Sequence, residues 1–211
     1  MSELPCMAAL EGPCCAGKTT LGRLLAQSPD GLAVAFAPCY ADYAGGGRCL
    51  PRQEAASVGE REDALRQILD VEAGRLASLP SGSDLILADR SVYTLLANSS
   101  ALEQMTGLAL LGPSERLLRA SPAAAWPDLV LYLDLPQDAV QGRNNGKFPP
   151  GSIYTDPGFN AAIRAYFSRL AGRKAPRVAW LDATLDLPEL ARLAGAELRQ
   201  AVRRRNTQGA V

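Results

Sequence analysis

The sequence predicts an α/β protein in which helices cover both faces of a parallel β-sheet. Five short apolar runs show no alternation of apolar and polar residues, which is typical of strands buried on both faces. Helical patterns separate the runs, and a glycine-rich loop joins the first run to the first helix. The five candidate strands are residues 7–10, 32–37, 85–88, 129–133 and 178–181.

The composition indicates a single domain, residues 1–211, and narrows its possible functions. Hydrophobic residues make up 47% and charged residues 21% of the chain, which is enough apolar material for one sizeable core. The 22 basic and 22 acidic side chains cancel, so no overall positive field attracts a nucleic acid polymer or a membrane. The absence of histidine excludes serine–histidine hydrolases, histidine zinc sites and imidazole bases.

The cysteines and the apolar runs predict a cytoplasmic protein. Five cysteines without a C-x-x-C pair argue against a disulfide framework and against a structural zinc. No signal peptide is expected, because the chain does not open on a charged start followed by an apolar run. No apolar run is long enough to predict a membrane span.

Helices are predicted between the strands. The first occupies residues 18–27, directly after the glycine-rich loop. A long second helix precedes the third strand, and we expect Glu72, which interrupts its apolar face, to reach solvent. That face is formed by Leu65, Ile68, Leu69, Leu76 and Leu79.

Capping patterns predict the remaining helices. Ser100 with Glu103 fits a capping box, and Asp156 followed by Pro157 is typical of a helix start. Pro188 opens a C-terminal helix.

Two stretches read as long loops, residues 38–54 and residues 142–157. Long loops in a compact domain usually bind or cover a ligand, so we assign the first to acceptor recognition and the second to a lid.

The glycine-rich loop, residues 12–19, reads GPCCAGKT and satisfies G-x-x-x-x-G-K-[ST]. Such a P-loop wraps phosphate oxygens with backbone N–H groups, aided by the N-terminus of the following helix. Lys18 is expected to reach the β and γ phosphates of ATP, and Thr19 to ligate Mg²⁺. Thr20 adds a further hydroxyl. The other predicted nucleotide-binding residues are Gly12, Cys14, Cys15, Ala16 and Gly17.

Cys14 and Cys15 have two interpretations. A helix N-terminus beside Lys18 lowers thiol pKa values, which would make the site sensitive to oxidation. Alternatively, both are small residues that the loop tolerates.

Asp89 follows the third apolar run directly and is a candidate ligand for Mg²⁺ or a candidate base. An apolar strand ending in aspartate resembles a Walker B strand, although a plain helix cap has the same local pattern.

With these motifs, the sequence resembles the thymidylate kinase and deoxynucleoside kinase group of P-loop kinases. Residues 11–21, 89–93 (DRSVY), 127–136 (PDLVLYLDLP) and 180–190 (WLDATLDLPEL) carry the resemblance. It implies strand order 2-3-1-4-5, ATP with Mg²⁺ at the P-loop, and transfer to a nucleoside or nucleoside monophosphate. It also implies that Arg90 contacts phosphates, that Arg143 acts from the lid, that Ala183 lines the adenine pocket, and possible homodimers.

The sequence departs from the group after the second strand. The group commonly carries a carboxylate before the proline, whereas this chain has Ala37 before Pro38. Asp42 or Asp89 could replace the missing base, and a monophosphate acceptor would need none. The remaining candidate acceptor contacts are Pro38, Tyr40, Tyr43 and Arg48.

These patterns predict an ATP-dependent small-molecule kinase whose catalytic residues are Lys18, Asp89, Arg90 and Arg143. Two alternatives stay open: a kinase for another hydroxylated metabolite or antibiotic, and a nucleotide-binding regulatory protein that transfers no phosphate.

Overall fold

A computed structural model describes residues 5–27, 31–46, 49–52 and 54–208. Its sheet has five parallel strands in the order β2-β3-β1-β4-β5, which confirms the predicted fold class and strand order. The strands are β1 (Cys6–Glu11), β2 (Val34–Ala37), β3 (Leu85–Asp89), β4 (Leu129–Asp134) and β5 (Arg177–Asp182). All five predicted apolar runs are strands, although Leu32 and Ala33 lie before β2 rather than in it.

Eight helices and one 3₁₀ turn connect and cover the strands in the described part of the chain. They are α1 (Lys18–Ala26), α2 (Tyr40–Tyr43), α3 (Val58–Ala77), α4 (Val92–Thr106), α5 (Leu111–Ala120), α6 (Gln137–Gly142), the 3₁₀ turn (Ile153–Thr155), α7 (Pro157–Ala171) and α8 (Leu187–Gln208). No helix among the described residues is long and apolar enough to cross a membrane.

The core has two main parts, one on each face of the sheet. Helices α3, α4 and α7 bury one face, where the rings of Tyr132 and Phe167 lie 4.9 Å apart. Helices α1 and α8 bury the other face, where Leu21 and Leu198 pack against the leucines of β1, β3 and β4. Covering both faces explains why the strands lack alternation in the sequence.

Several local predictions are wrong in detail. The capping box at Ser100 does not start a helix, because Ser100 is buried inside α4. The N-cap of helix α4 lies nine residues earlier, at Ser91, whose side chain accepts from the Tyr93 amide. The predicted loops contain regular structure, α2 in the first and the 3₁₀ turn in the second.

The sheet topology brings the P-loop and Asp89 together. Strands β1 and β3 are adjacent and parallel, with Leu10 paired to Asp89. Their carboxyl ends therefore meet at one edge of the sheet, which is where ligands bind in open α/β folds.

Candidate active site

The P-loop runs from Gly12 to the start of α1, and two of its glycines have positive φ angles. Gly12 has φ 126°, and a Cβ there would overlap the Leu133 carbonyl oxygen. Gly17 has φ 87°, and a Cβ there would meet nothing within 4 Å. No side chain caps the first turn of α1. Its first amides therefore remain available to an anion.

Lys18 is buried beneath this loop, and its Nζ donates to two loop carbonyl oxygens, at 3.0 Å for Gly12 and 2.5 Å for Pro13. Burial, aided by the positive charge of Arg90, lowers the pKa of Lys18 to about 7, against the opposing charges of Asp89 and Glu11. An anion that enters the loop would therefore stabilise the protonated, charged form of Lys18.

Thr19 and Asp89 form a pair that fits Mg²⁺. The Thr19 hydroxyl donates to Asp89 Oδ2 at 2.5 Å, and the buried Asp89 Oδ1 has no partner among the described residues. Mg²⁺ prefers oxygen ligands and usually retains waters and substrate phosphates. Across the described ranges, no group of three or more His, Cys, Asp or Glu side chains could hold a metal alone. This pair therefore suits a Mg²⁺ ion that is shared with a phosphate.

Arg90 presents a free guanidinium beside Lys18. Its side chain is half-buried, and no described residue forms a hydrogen bond or ion pair with it. Its backbone has φ 72°, in the left-handed region that residues other than glycine rarely adopt. The Arg90 amide donates to the Leu10 carbonyl at 3.0 Å, and the Arg90 carbonyl accepts from Arg75 Nη2 at 3.1 Å. The fold thus holds an unpaired cation at a strained position.

Arg75, which the sequence did not single out, fixes the ends of two strands. It is fully buried, and its Nη1 donates to the Pro38 carbonyl at 2.8 Å and the Asp89 carbonyl at 3.0 Å. Its Nε donates to Glu72 Oε2 at 2.9 Å. The prediction that Glu72 reaches solvent is therefore wrong. Burial raises the pKa of Glu72, and Arg75 opposes that rise.

Glu11 is a second buried carboxylate that the sequence did not single out. Ser91 Oγ donates to Glu11 Oε1 at 2.7 Å, and the Thr94 hydroxyl donates to Glu11 Oε2. Burial raises the pKa of Glu11. Both oxygens are therefore occupied in joining the end of β1 to the start of α4. The sequence signal that could have identified Glu11 is its position at the end of an apolar run, directly before the P-loop.

Residues 142–157, the predicted lid, dock against the P-loop. The Cys14 thiol donates to the Tyr154 carbonyl at 2.9 Å, and Gln137 Nε2 donates to the Thr155 carbonyl at 2.9 Å. Burial raises the pKa of Cys14 to about 11. This favours the second interpretation of Cys14, a small residue that the loop tolerates, because desolvation outweighs the effect of Lys18 on its thiol.

Arg61 is a buried cation that joins α3 to α4. Its Nε donates to Ser99 Oγ at 2.9 Å and its Nη2 to the Leu95 carbonyl at 3.0 Å. Its Nη1 has no partner among the described residues, and burial lowers the pKa of Arg61 to about 10.

The structure brings together Lys18, Thr19, Asp89 and Arg90, but not every predicted site residue. Arg143 is exposed and its Nη1 donates to the Ala183 carbonyl at 3.0 Å. Arg143 therefore contacts Ala183, the predicted adenine-pocket residue, rather than the P-loop. Cys15 has φ 62°, Ala16 is buried, and Thr20 is exposed on α1.

The predicted acceptor residues are dispersed. Tyr40 is buried beneath the Arg75 guanidinium, which lies 4.3 Å from the ring centroid, so stacking of Tyr40 on an acceptor is excluded in this structure. Asp42 and Tyr43 are exposed on α2, and Pro38 contributes its carbonyl to Arg75. Arg48 lies outside the described residues.

The affinity for ATP should fall as the pH rises above 7. With a pKa of about 7, Lys18 is protonated below that pH and loses its charge above it. A bound triphosphate stabilises the ammonium, so binding takes up a proton at higher pH. We expect the association constant to fall about tenfold between pH 7.5 and 9 in calorimetric titrations.

Lys18→Arg is the matched control, since arginine stays charged throughout this range. Its pH dependence should be flat. A flat profile for the unmodified chain would contradict the assignment of Lys18.

No protein-family model matches the chain, and no curated protein matches its sequence. Among solved structures, the chain is similar to a deoxyadenosine kinase from M. mycoides, determined with the products dCMP and a flexible dCDP bound. The TM-score is 0.62 at 14% sequence identity, over 92% of this chain and 98% of that chain. The likeness shows the fold alone: this chain shares the fold of that deoxyadenosine kinase.

Proposed function

We propose that the protein transfers the γ-phosphoryl group of ATP to a small acceptor, of the thymidylate kinase or deoxynucleoside kinase type. One observation carries the proposal: the guanidinium of Arg90, which has no hydrogen-bond or ion-pair partner among the described residues, lies within electrostatic range of the buried Lys18 ammonium of the P-loop. Two cations that repel each other at this position indicate a site for a polyphosphate.

The residues have distinct roles in the proposed reaction. The loop amides and Lys18 bind and orient the triphosphate, and Arg90 neutralises charge on the transferring group. Thr19 and Asp89 would hold Mg²⁺, which neutralises phosphate charge when bound. Arg143, which donates to the Ala183 carbonyl, would lie on the nucleotide side of the site.

The carboxylates around Arg90 favour an anionic acceptor. Glu11 has both oxygens occupied, and Asp89 has one oxygen on Thr19 and the other placed for Mg²⁺. No carboxylate of this cluster is left to deprotonate a hydroxyl. A nucleoside monophosphate needs no base, because its anionic oxygen forms the new bond to the γ-phosphorus while the bond to the β-phosphate oxygen breaks and ADP leaves.

A radiometric assay tests the proposal. Labelled [γ-³²P]ATP with Mg²⁺ is offered to deoxynucleosides, their monophosphates and a hydroxylated antibiotic. We expect label in a nucleoside diphosphate, and loss of that label in Asp89→Asn. Asp70→Asn, an exposed carboxylate change on α3, is the control. ATP binding without any labelled acceptor would favour the regulatory alternative.

A further inference from the structure

A basic cavity of about 500 Å³ lies far from the P-loop. It opens at Leu129 and Arg177, the first residues of β4 and β5, whereas the P-loop follows the last residue of β1. Since the strands are parallel and six residues long, the two sites lie at opposite ends of the sheet, about 20 Å apart.

The floor of the cavity is aromatic. The rings of Trp126 and Tyr93 meet edge to face, with centroids 5.4 Å apart, and Trp126 is half-buried. The Arg119 guanidinium lies 5.0 Å from the Trp126 ring centroid. A half-buried tryptophan beside a guanidinium can receive a planar ring by stacking.

The rim of the cavity carries five basic side chains and one acidic side chain. Arg119 pairs with Glu115, Arg177 pairs with Glu197, and Arg205 pairs with Asp128 at 2.6 Å. Asp128, the acidic member, also accepts from the Met7 amide at 3.0 Å, so its charge is already engaged.

Two rim cations remain. Within the described ranges, the side chains of Lys174 and Arg204 have no hydrogen-bond or ion-pair partner, and both residues line the cavity. They stand on different elements, the loop before β5 and helix α8. Both are exposed and line the same open cavity from different elements, rather than following a single helix face.

We propose that this cavity is a second binding site, for a nucleotide whose base lies on Trp126 and whose phosphates lie between Lys174 and Arg204. The volume falls within the range of small-molecule sites. A heteroaromatic ring suits the floor, and a phosphate suits the two free cations. This site does not depend on the proposed function, because none of its residues belongs to the P-loop cluster.

The experiment uses the full chain carrying Lys18→Ala, which weakens the P-loop site. ATP binding is measured by calorimetry and by Trp126 fluorescence, with adenosine and tripolyphosphate as separate probes of ring and anion. We expect ATP to bind at least about tenfold more tightly than either probe, since only ATP uses both floor and rim. Adding Trp126→Phe should abolish the fluorescence response.

The deciding comparison adds Lys174→Ala with Arg204→Ala to that background. We expect the ATP dissociation constant to rise about tenfold or more, since charge-assisted contacts are lost. The control adds Arg23→Ala with Arg203→Ala, which removes the same charge from exposed positions outside the cavity. The proposal would be overturned if the two variants bound ATP with equal affinity, or if tripolyphosphate bound as tightly as ATP. It would also be overturned if ATP did not bind in the Lys18→Ala background. Failure of the phosphoryl-transfer assay would leave the result at this cavity standing.

Discussion

Replacing Lys18 with alanine should lower the rate of phosphoryl transfer from ATP by about 10³-fold. In this structure, Lys18 Nζ donates to the Gly12 and Pro13 carbonyl oxygens. A γ-phosphate offers a stronger, anionic acceptor at the same place, and its negative charge must be neutralised during transfer. The measurement is kcat/KM for ATP with the acceptor found in the radiometric assay.

The variant should fold as well as the unmodified chain. Burial disfavours the charged form of Lys18, so its removal carries no expected loss in the free energy of unfolding. Arg23→Ala, an exposed cation on the same helix, is the matched control and should keep full activity. Transfer by Lys18→Ala at the rate of this control would refute a P-loop mechanism.

Replacing Arg75 with methionine should destabilise the protein by about 3–5 kcal/mol. The substitution leaves the buried Glu72 carboxylate unpaired and deprives the Pro38, Asp89 and Arg90 carbonyls of their donor. Because one of these carbonyls belongs to Arg90, folded variant protein should also lose phosphoryl transfer. Urea unfolding measures the first effect, and transfer below the unfolding midpoint measures the second.

Arg66→Met provides the comparison on the same helix. Arg66 pairs with Glu62 and Asp63 at the surface, and exposed pairs contribute about 0–1 kcal/mol. Arg75→Lys keeps the charge but loses the planar guanidinium, so its destabilisation should lie between those of Arg66→Met and Arg75→Met. Equal destabilisation by Arg75→Met and Arg66→Met would contradict the bracing role of Arg75.

The strands and the P-loop were predictable because their signals are local. An apolar run of four to six residues bounded by turn residues needs no tertiary context, and G-x-x-x-x-G-K-[ST] has fixed spacing. Asp89 was found for the same reason, as the last residue of such a run. The strand order came from resemblance to a kinase group, since periodicity alone cannot order strands.

The buried charges were not predictable because the contacts that bury them come from residues distant in sequence. Glu72 and Arg75 are three residues apart, a spacing equally typical of a solvated helix surface. What distinguishes them is contact with the Pro38 and Asp89 carbonyls, which depends on how α3 packs over β2 and β3. Likewise, the pattern around Tyr40 did not reveal that Arg75 would cover its ring.

A crystal structure with Mg²⁺ and a non-hydrolysable ATP analogue tests the central claim most directly. The account predicts the β and γ phosphates within hydrogen-bond distance of the loop amides and Lys18 Nζ, with Mg²⁺ on Thr19 and Asp89. It also predicts that Lys18 leaves the Gly12 and Pro13 carbonyls. An analogue bound only elsewhere, with Lys18 still on those carbonyls, would contradict it.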